Sequence, residues 1–260
     1  MNFTTKDSLG VLIIATGNYI GYVERLINSI EDNNTTYTNI NYHIFSDQLK
    51  IDLEGNSRIK LHNWPHLKWP HPTLMRYHAF DKYASQLESH KYLIYLDADM
   101  KINTNLPSIN VNKIFSVTHP GYKEKSNKPF ENNRNSNAYT PSGSRKVYVC
   151  GGVQGGSSES YLTAIRQMKK WIDSDLENGI VARWHDESYW NKYVNQNIEQ
   201  TVILGREYCW PEQWVTSKNP GKIIALKKNH TASRNNYSFK SKVRFLLSEV
   251  RMKLLRPRTY

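Results

Sequence analysis

Four short segments of this chain carry side chains that could do chemistry. YLDADM (Tyr95 to Met100) ends an apolar run with two carboxylates, Asp97 and Asp99, one residue apart. In an extended chain alternate side chains share a face, so both could converge on one hard cation, Mg²⁺ or Mn²⁺, beside substrate phosphates. The same two residues could equally cap a turn. GGVQGG (Gly151 to Gly156) reads as a glycine-rich turn from a strand into a helix opening at Ser157 and Ser158. There the backbone can approach a ligand closely and a helix N-terminus can face an anion. Its spacing is not the GxGxxG of a dinucleotide site. WHDES (Trp184 to Ser188) crowds an aromatic ring, an imidazole and two acids at a helix start. A carboxylate there could attack a sugar or stabilise an oxocarbenium ion, or Asp186 could merely cap the helix with Glu187 in its first turn. KKNHTASR (Lys227 to Arg234) spaces cations along a loop, serving a phosphate or simply water.

The elements that must hold these residues follow from the apolar pattern. Short runs rich in Val, Ile and Tyr recur between helix-length polar stretches: VLIIAT (11–16), NYHIFSD (41–47), RIKLHNW (58–64), KYLIYLD (91–97), KIFSVTH (113–119), KVYVCGG (146–152), TVILG (201–205) and KIIALKK (222–228). Without alternation such strands are buried on both faces, which predicts an α/β layer fold with a mainly parallel sheet. Helices are expected at Tyr19 to Ser29, Pro72 to Leu87, Ser157 to Asp173 and Asp186 to Asn195. In α/β folds the chemistry belongs at strand ends. The polar, Asn-rich stretch Lys123 to Ser144 is long for an idle connection and reads as an active-site loop.

Composition narrows the class. Thirty-five Lys and Arg against 23 Asp and Glu leave a net charge of +12. Half of that charge lies in residues 238–260, where Val243, Leu246, Leu247, Val250 and Leu254 recur at helical spacing among Lys240, Lys242, Arg244, Arg251, Lys253, Arg256 and Arg258. A basic amphipathic helix is predicted there, suited to an anionic membrane surface. No run approaches the roughly 20 apolar residues of a bilayer span, and the start MNFTTKDS has no signal-peptide core. Only Cys150 and Cys209 are present, in no zinc-site spacing, which fits a reducing compartment. A cytoplasmic protein, peripheral at the inner face of the membrane, is the expectation. A basic, aromatic-rich protein binding nucleic acid or polysaccharide is the rival class, but the core acids stand at strand ends, as catalytic sites require. Nucleic acid is not expected as a partner.

In order along the chain, IATGNY, YLDADM, HPG, NAYTP, VCGGVQGG, NGIVARWHDES with NKY, EYCW and KKNHTASR resemble the family 6 glycosyltransferases, the retaining α-1,3-galactosyl- and N-acetylgalactosaminyltransferases. The resemblance runs from about Val11 to Arg234 and implies a single Rossmann-like GT-A domain with a mixed central sheet over 1–237, followed by the 238–260 tail. It places uridine binding on Ile14, Ala15, Thr16 and Tyr19, and donor support on Arg76, Ala98, Asp186, Lys228 and Arg234. A metal, Mn²⁺, falls on Asp97 and Asp99. Glu187 falls on the glutamate proposed as nucleophile or transition-state stabiliser, and His119, Trp184 and His185 fall on the acceptor side. Pro211 replaces an acceptor-binding aspartate, with Glu212 beside it as a substitute. Donor choice in the family turns on the residues flanking one glycine, here Cys150 and Gly152 about Gly151. Glycine at the second position leaves room for the acetamido group of UDP-N-acetylgalactosamine, with a UDP-galactose-specific enzyme as the alternative. The family's vertebrate members carry a membrane anchor that this sequence lacks, so it resembles the truncated bacterial or phage form. Its acceptor would be a terminal β-galactoside on a glycan or lipid-linked oligosaccharide.

Overall fold

The computed structural model describes residues 8–48, 56–109, 112–122 and 128–227. Its centre is a seven-stranded sheet in the order β3-β2-β1-β4-β7-β6-β8. These strands are β1 (Ser8–Ile14), β2 (Asn39–Ser46), β3 (Ile59–Asn63), β4 (Tyr92–Leu96), β6 (Ile114–Thr118), β7 (Val149–Ser157) and β8 (Thr201–Leu204). A second, small sheet orders β5 (Met100–Ile102), β10 (Ile223–Ala225) and β9 (Trp210–Pro211). All pairings in the large sheet are parallel except those of β7, which runs against both β4 and β6. The sheet is therefore mixed, and the first residues of β7 meet the last residues of β4.

Alternation along β1 builds a core on each face: Val11 and Ile13 pack with α1 (Val23–Asn33) through Leu26, Ile27 and Ile30, while Leu12 turns to the opposite face. That second core is roofed by α3 (Arg76–Lys82), α5 (Ser158–Glu177) and α6 (His185–Gln196), with Phe80, Tyr161, Ile165 and Trp190 fully buried. The helix expected from Pro72 to Leu87 is broken into α2 (His71–Leu74), α3 and α4 (Ala84–Leu87), because Met75 and Tyr83 leave helical geometry. The one expected from Tyr19 opens as a tight turn over Gly17–Tyr22 before α1. Gly17 sits at φ +57, left-handed backbone that favours glycine.

The glycine-rich segment is not a turn. Gly151 to Gly156 all lie inside β7, where neighbouring strands crowd Gly155 and Gly156. A Cβ on Gly155 would come within 2.3 Å of the Leu93 carbonyl oxygen. The register pairs Tyr92 with Ser157 and Leu96 with Val153, so the N-terminus of α5 stands at the opposite end of β4 from Asp97. That helix start is capped by its own Ser157, which accepts from the Ser160 amide, and it is remote from the carboxylates. Among the described residues no helix is long and apolar enough to cross a membrane. The predicted helical tail, 238–260, lies outside the described residues.

Candidate active site

Four segments meet at the edge of the sheet where β4 ends and β7 begins. The backbone amide of Asp97 donates to the Gly152 carbonyl at 2.9 Å, tying the two strands at that point. Beyond β4 the chain turns, and the Met100 amide donates to the Asp97 carbonyl at 3.0 Å. This turn corrects the extended-strand argument for Asp97 and Asp99. Asp97 keeps 29% of its side chain exposed whereas Asp99 is 1% exposed, so the two do not present equivalent carboxylates.

Asp97 is oriented from two sides. The Tyr95 hydroxyl donates to its Oδ1 at 2.5 Å, and the Arg76 guanidinium approaches the same oxygen at 3.4 Å. Tyr95 precedes Asp97 by two residues and shares its face, a relationship readable from strand periodicity. Oδ2 faces the space left by Gly152, where a Cβ would come within 2.8 Å of it. Oδ1 is thus held by Tyr95 and Arg76, and Oδ2 packs into the space that the absent side chain of Gly152 leaves. Hard oxygen donors of this kind suit Mg²⁺ or Mn²⁺ when phosphates and water complete the shell. Among the described residues no group of three His, Cys, Asp or Glu side chains could hold a metal alone.

Arg76 is the hub. It is 4% exposed, donates to the Gly151 carbonyl at 2.6 Å, stands 3.2 Å from Asp186 and lies over the Tyr95 ring at 4.3 Å. Burial opposes its charge, but Asp186, Tyr95 and Asp97 outweigh that and hold it firmly protonated. At Asp186 the balance differs: burial raises its pKa to about 6 even though Arg76 and the Thr73 hydroxyl favour the carboxylate. Asp186 is therefore a buried ion-pair partner and not a helix cap.

Glu187, in the first turn of α6, has both oxygens engaged. The Tyr148 hydroxyl donates to Oε1 at 2.7 Å and the Gly151 amide to Oε2 at 2.9 Å. Burial lifts its pKa to about 7, against those two hydrogen bonds and Arg76, with Asp186 adding to the rise. Two asparagines further along α6 fix this arrangement: Asn191 bonds both the amide and the carbonyl of Val149, and Asn195 bonds the Lys146 and Val147 amides and the Val147 carbonyl. Neither asparagine stands out in the sequence, because a polar residue four positions from another on a helix usually faces water.

His119 is neutral, its pKa lowered by burial to about 4, and its Nδ1 accepts from the Gly121 amide at 3.1 Å. Its ring packs at a tilt against those of Tyr122 and Tyr148. Trp184 is 43% exposed, and His185 meets the edge of Trp69 at 4.9 Å, an aromatic the sequence reading passed over. At the end of β1, Ala15 and Thr16 are buried, Ile14 and Tyr19 are half-buried, and Thr16 bonds His66 at 3.1 Å. Asp47 accepts from the Gly17 amide at 2.8 Å and secures the loop. Ala98 and Cys150 are buried in the core. Glu212 is exposed and accepts from the Lys227 amide at 2.8 Å. Lys228 and Arg234 lie outside the described residues. The stretch 128–144 is anchored rather than loose: Ser136, Asn137 and Tyr189 all donate to buried Asp175, and Glu131 accepts from the Arg183 amide.

A Rossmann-like α/β domain with acidic turn, buried arginine and helix-borne glutamate on one sheet edge has the layout of a GT-A glycosyltransferase. The sequence matches the glycosyltransferase family 6 profile over residues 1–235, and the chain belongs to that family. It is 27% identical over 232 residues to the O-antigen biosynthesis glycosyltransferase WbnI of Escherichia coli, covering 88% of this chain and 98% of that one. It is 26% identical over 242 residues to histo-blood group ABO system transferase 1 of Rattus norvegicus, covering 88% and 69%. Globoside alpha-1,3-N-acetylgalactosaminyltransferase 1 of Gallus gallus matches at 27% over 243 residues, with the same two shares.

Proposed function

We propose that this enzyme moves N-acetylgalactosamine, or galactose, from its UDP donor to the 3-hydroxyl of a terminal β-galactoside, in α linkage and with retention. The observation that carries the reading is Glu187, a sunken carboxylate aimed by two donors beside the Arg76–Asp97 edge. A negative charge held in a dry site stabilises the positive charge that grows on an anomeric carbon, whether Glu187 attacks that carbon or faces an ion pair. Asp97 and Asp99 would hold Mn²⁺, which when bound offsets the charge of the departing diphosphate. Arg76 aims Asp97, and Lys228 and Arg234 would add cations at the same phosphates. His119, Trp184 and His185 face the acceptor, Trp184 offering an exposed ring to a sugar face. Glycine at 152 favours the acetamido donor, and the name of the globoside relative, an alpha-1,3-N-acetylgalactosaminyltransferase, agrees with that sugar. The basic tail, by charge alone, suits a lipid-linked acceptor at an anionic membrane.

The test is transfer to a soluble β-galactoside from each of the two UDP-sugars, with Mn²⁺ or with EDTA, and NMR of the product. An α-1,3 product that needs the metal, and is lost in the Asp97→Asn, Asp99→Asn double variant, is expected. Equal rates in EDTA would remove the metal from the reading, and a β-linked product would remove retention.

A further inference from the structure

We propose that Tyr148 is a positioning residue for Glu187: its hydroxyl holds Oε1 so that Oε2, steadied by the Gly151 amide, keeps one aim and one charge state. The proposal rests on the reading of Glu187 given above.

The geometry is preset on both partners. Tyr148 is 2% exposed, its ring boxed by His119, Tyr122 and Phe130 at centroid distances of 5.7, 5.4 and 5.1 Å. Its backbone is fixed as well. The Tyr148 carbonyl accepts from the His119 amide at 3.0 Å, and the amides on either side of it are bonded to Asn195 and Asn191. Those asparagines stand on the same helix as Glu187, four and eight residues further along. Donor and acceptor are therefore parts of one clamp and lose little freedom when the bond forms.

Chemistry makes the bond directional. Burial and the neighbouring carboxylate keep the Tyr148 hydroxyl protonated, so it can only donate to an ionised Glu187. The other charged and titratable groups facing Glu187 are Asp186, Arg76, Tyr77 and Cys209. Asp186 and Arg76 largely cancel through their ion pair, which leaves Tyr148 as the side chain that favours the carboxylate most directly. Deleting this one oxygen makes the ionised form harder to reach.

The experiment is Tyr148→Phe, which keeps the ring and its box, compared with wild type and with Tyr83→Phe, whose lost hydroxyl donates, among the described residues, to the Asn63 carbonyl. Donor turnover is followed between pH 5.5 and 9.5, and the Glu187 carboxyl is titrated by ¹³C NMR of glutamate-labelled protein, its signal assigned by Glu187→Gln. In Tyr148→Phe the acid limb of kcat should move up by about one pH unit, with roughly tenfold loss at pH 6 and below, about fivefold at pH 7, narrowing at high pH. Donor KM should stay nearly constant. The NMR titration should move with the limb. A loss uniform across pH, with the carboxyl titration unmoved, would overturn the proposal and leave Tyr148 a packing residue. If Glu187→Gln retained full transfer, the reading of the site would fail, while the NMR titration would still decide whether Tyr148 sets the charge of Glu187.

Discussion

The Nε of Arg76 stands 3.2 Å from Oδ2 of Asp186, and both side chains are almost wholly withdrawn from water. Helix α3 is thereby pinned to the first turn of α6, next to the residue assigned to catalysis. Breaking a buried pair by removing one partner leaves the other charge unsatisfied, at a cost of about 3–5 kcal/mol. Arg76→Ala should therefore unfold at markedly lower urea than wild type, and Asp186→Asn less so, because the amide still fills its place. Equal midpoints for Arg76→Ala and wild type would show that the pair contributes nothing.

Glu187→Gln should lower kcat at least about a hundredfold with little change in UDP affinity, since only a charge needed in the transition state is removed. In the wild type the carboxylate forms above a pKa of about 7, so kcat should rise with pH through that value. Isothermal titration with UDP and steady-state kinetics check the two halves separately.

Gly152→Ala tests more than donor choice. Its added methyl would come within 2.8 Å of both Asp97 Oδ2 and the Met100 Cε. Met100 can swing away at small cost, so the fold should survive with a Tm near wild type. Asp97 cannot move without leaving the Tyr95 hydroxyl, so turnover should fall about tenfold or more with both UDP-N-acetylgalactosamine and UDP-galactose. Loss confined to the acetamido donor would instead place the methyl against the sugar.

Three histidines buried beneath the sheet predict how the protein fails in acid. His43 bonds His62 through Nδ1 and His90 through Nε2, each at 2.8 Å. Burial lowers their pKa values to about 2 for His43 and about 4 for the other two, aided at His62 and His90 by Lys60. As pH falls below 6.5 the unfolded chain takes up protons that the native state refuses, so stability drops between pH 6.5 and about 4. Glu187 and Asp186, with raised values, act in the opposite direction. His43→Gln should lower the urea midpoint at pH 7.5 yet show a shallower further loss by pH 5. A slope unchanged from wild type would clear the histidines of that role.

The strands were legible because buried runs such as YLIYL have no other economical reading, and the acidic turn was legible because it follows one. What could not be read was side-chain company. Val153 to Gly156 read as a turn because glycines usually mark one; the crowding of the Leu93 and Lys113 carbonyls against Gly155 and Gly156 explains those two as strand. A capping role for Asp186 stayed open beside the donor-side one because nothing in the sequence brings Arg76, 110 residues earlier, beside it. Tyr148, Asn191 and Asn195 carried no motif, since their roles arise from β7 lying along α6.

The reversed direction of β7 has one more consequence. The excursion from His119 to Tyr148 leaves and re-enters the domain at the same edge, its two roots joined by the hydrogen bond between them. Closing a longer loop on fixed roots costs little, so a change of chain length there is tolerated wherever it leaves the Tyr122 and Phe130 rings against Tyr148. Such changes would reshape the rim beside Tyr122 and Phe130.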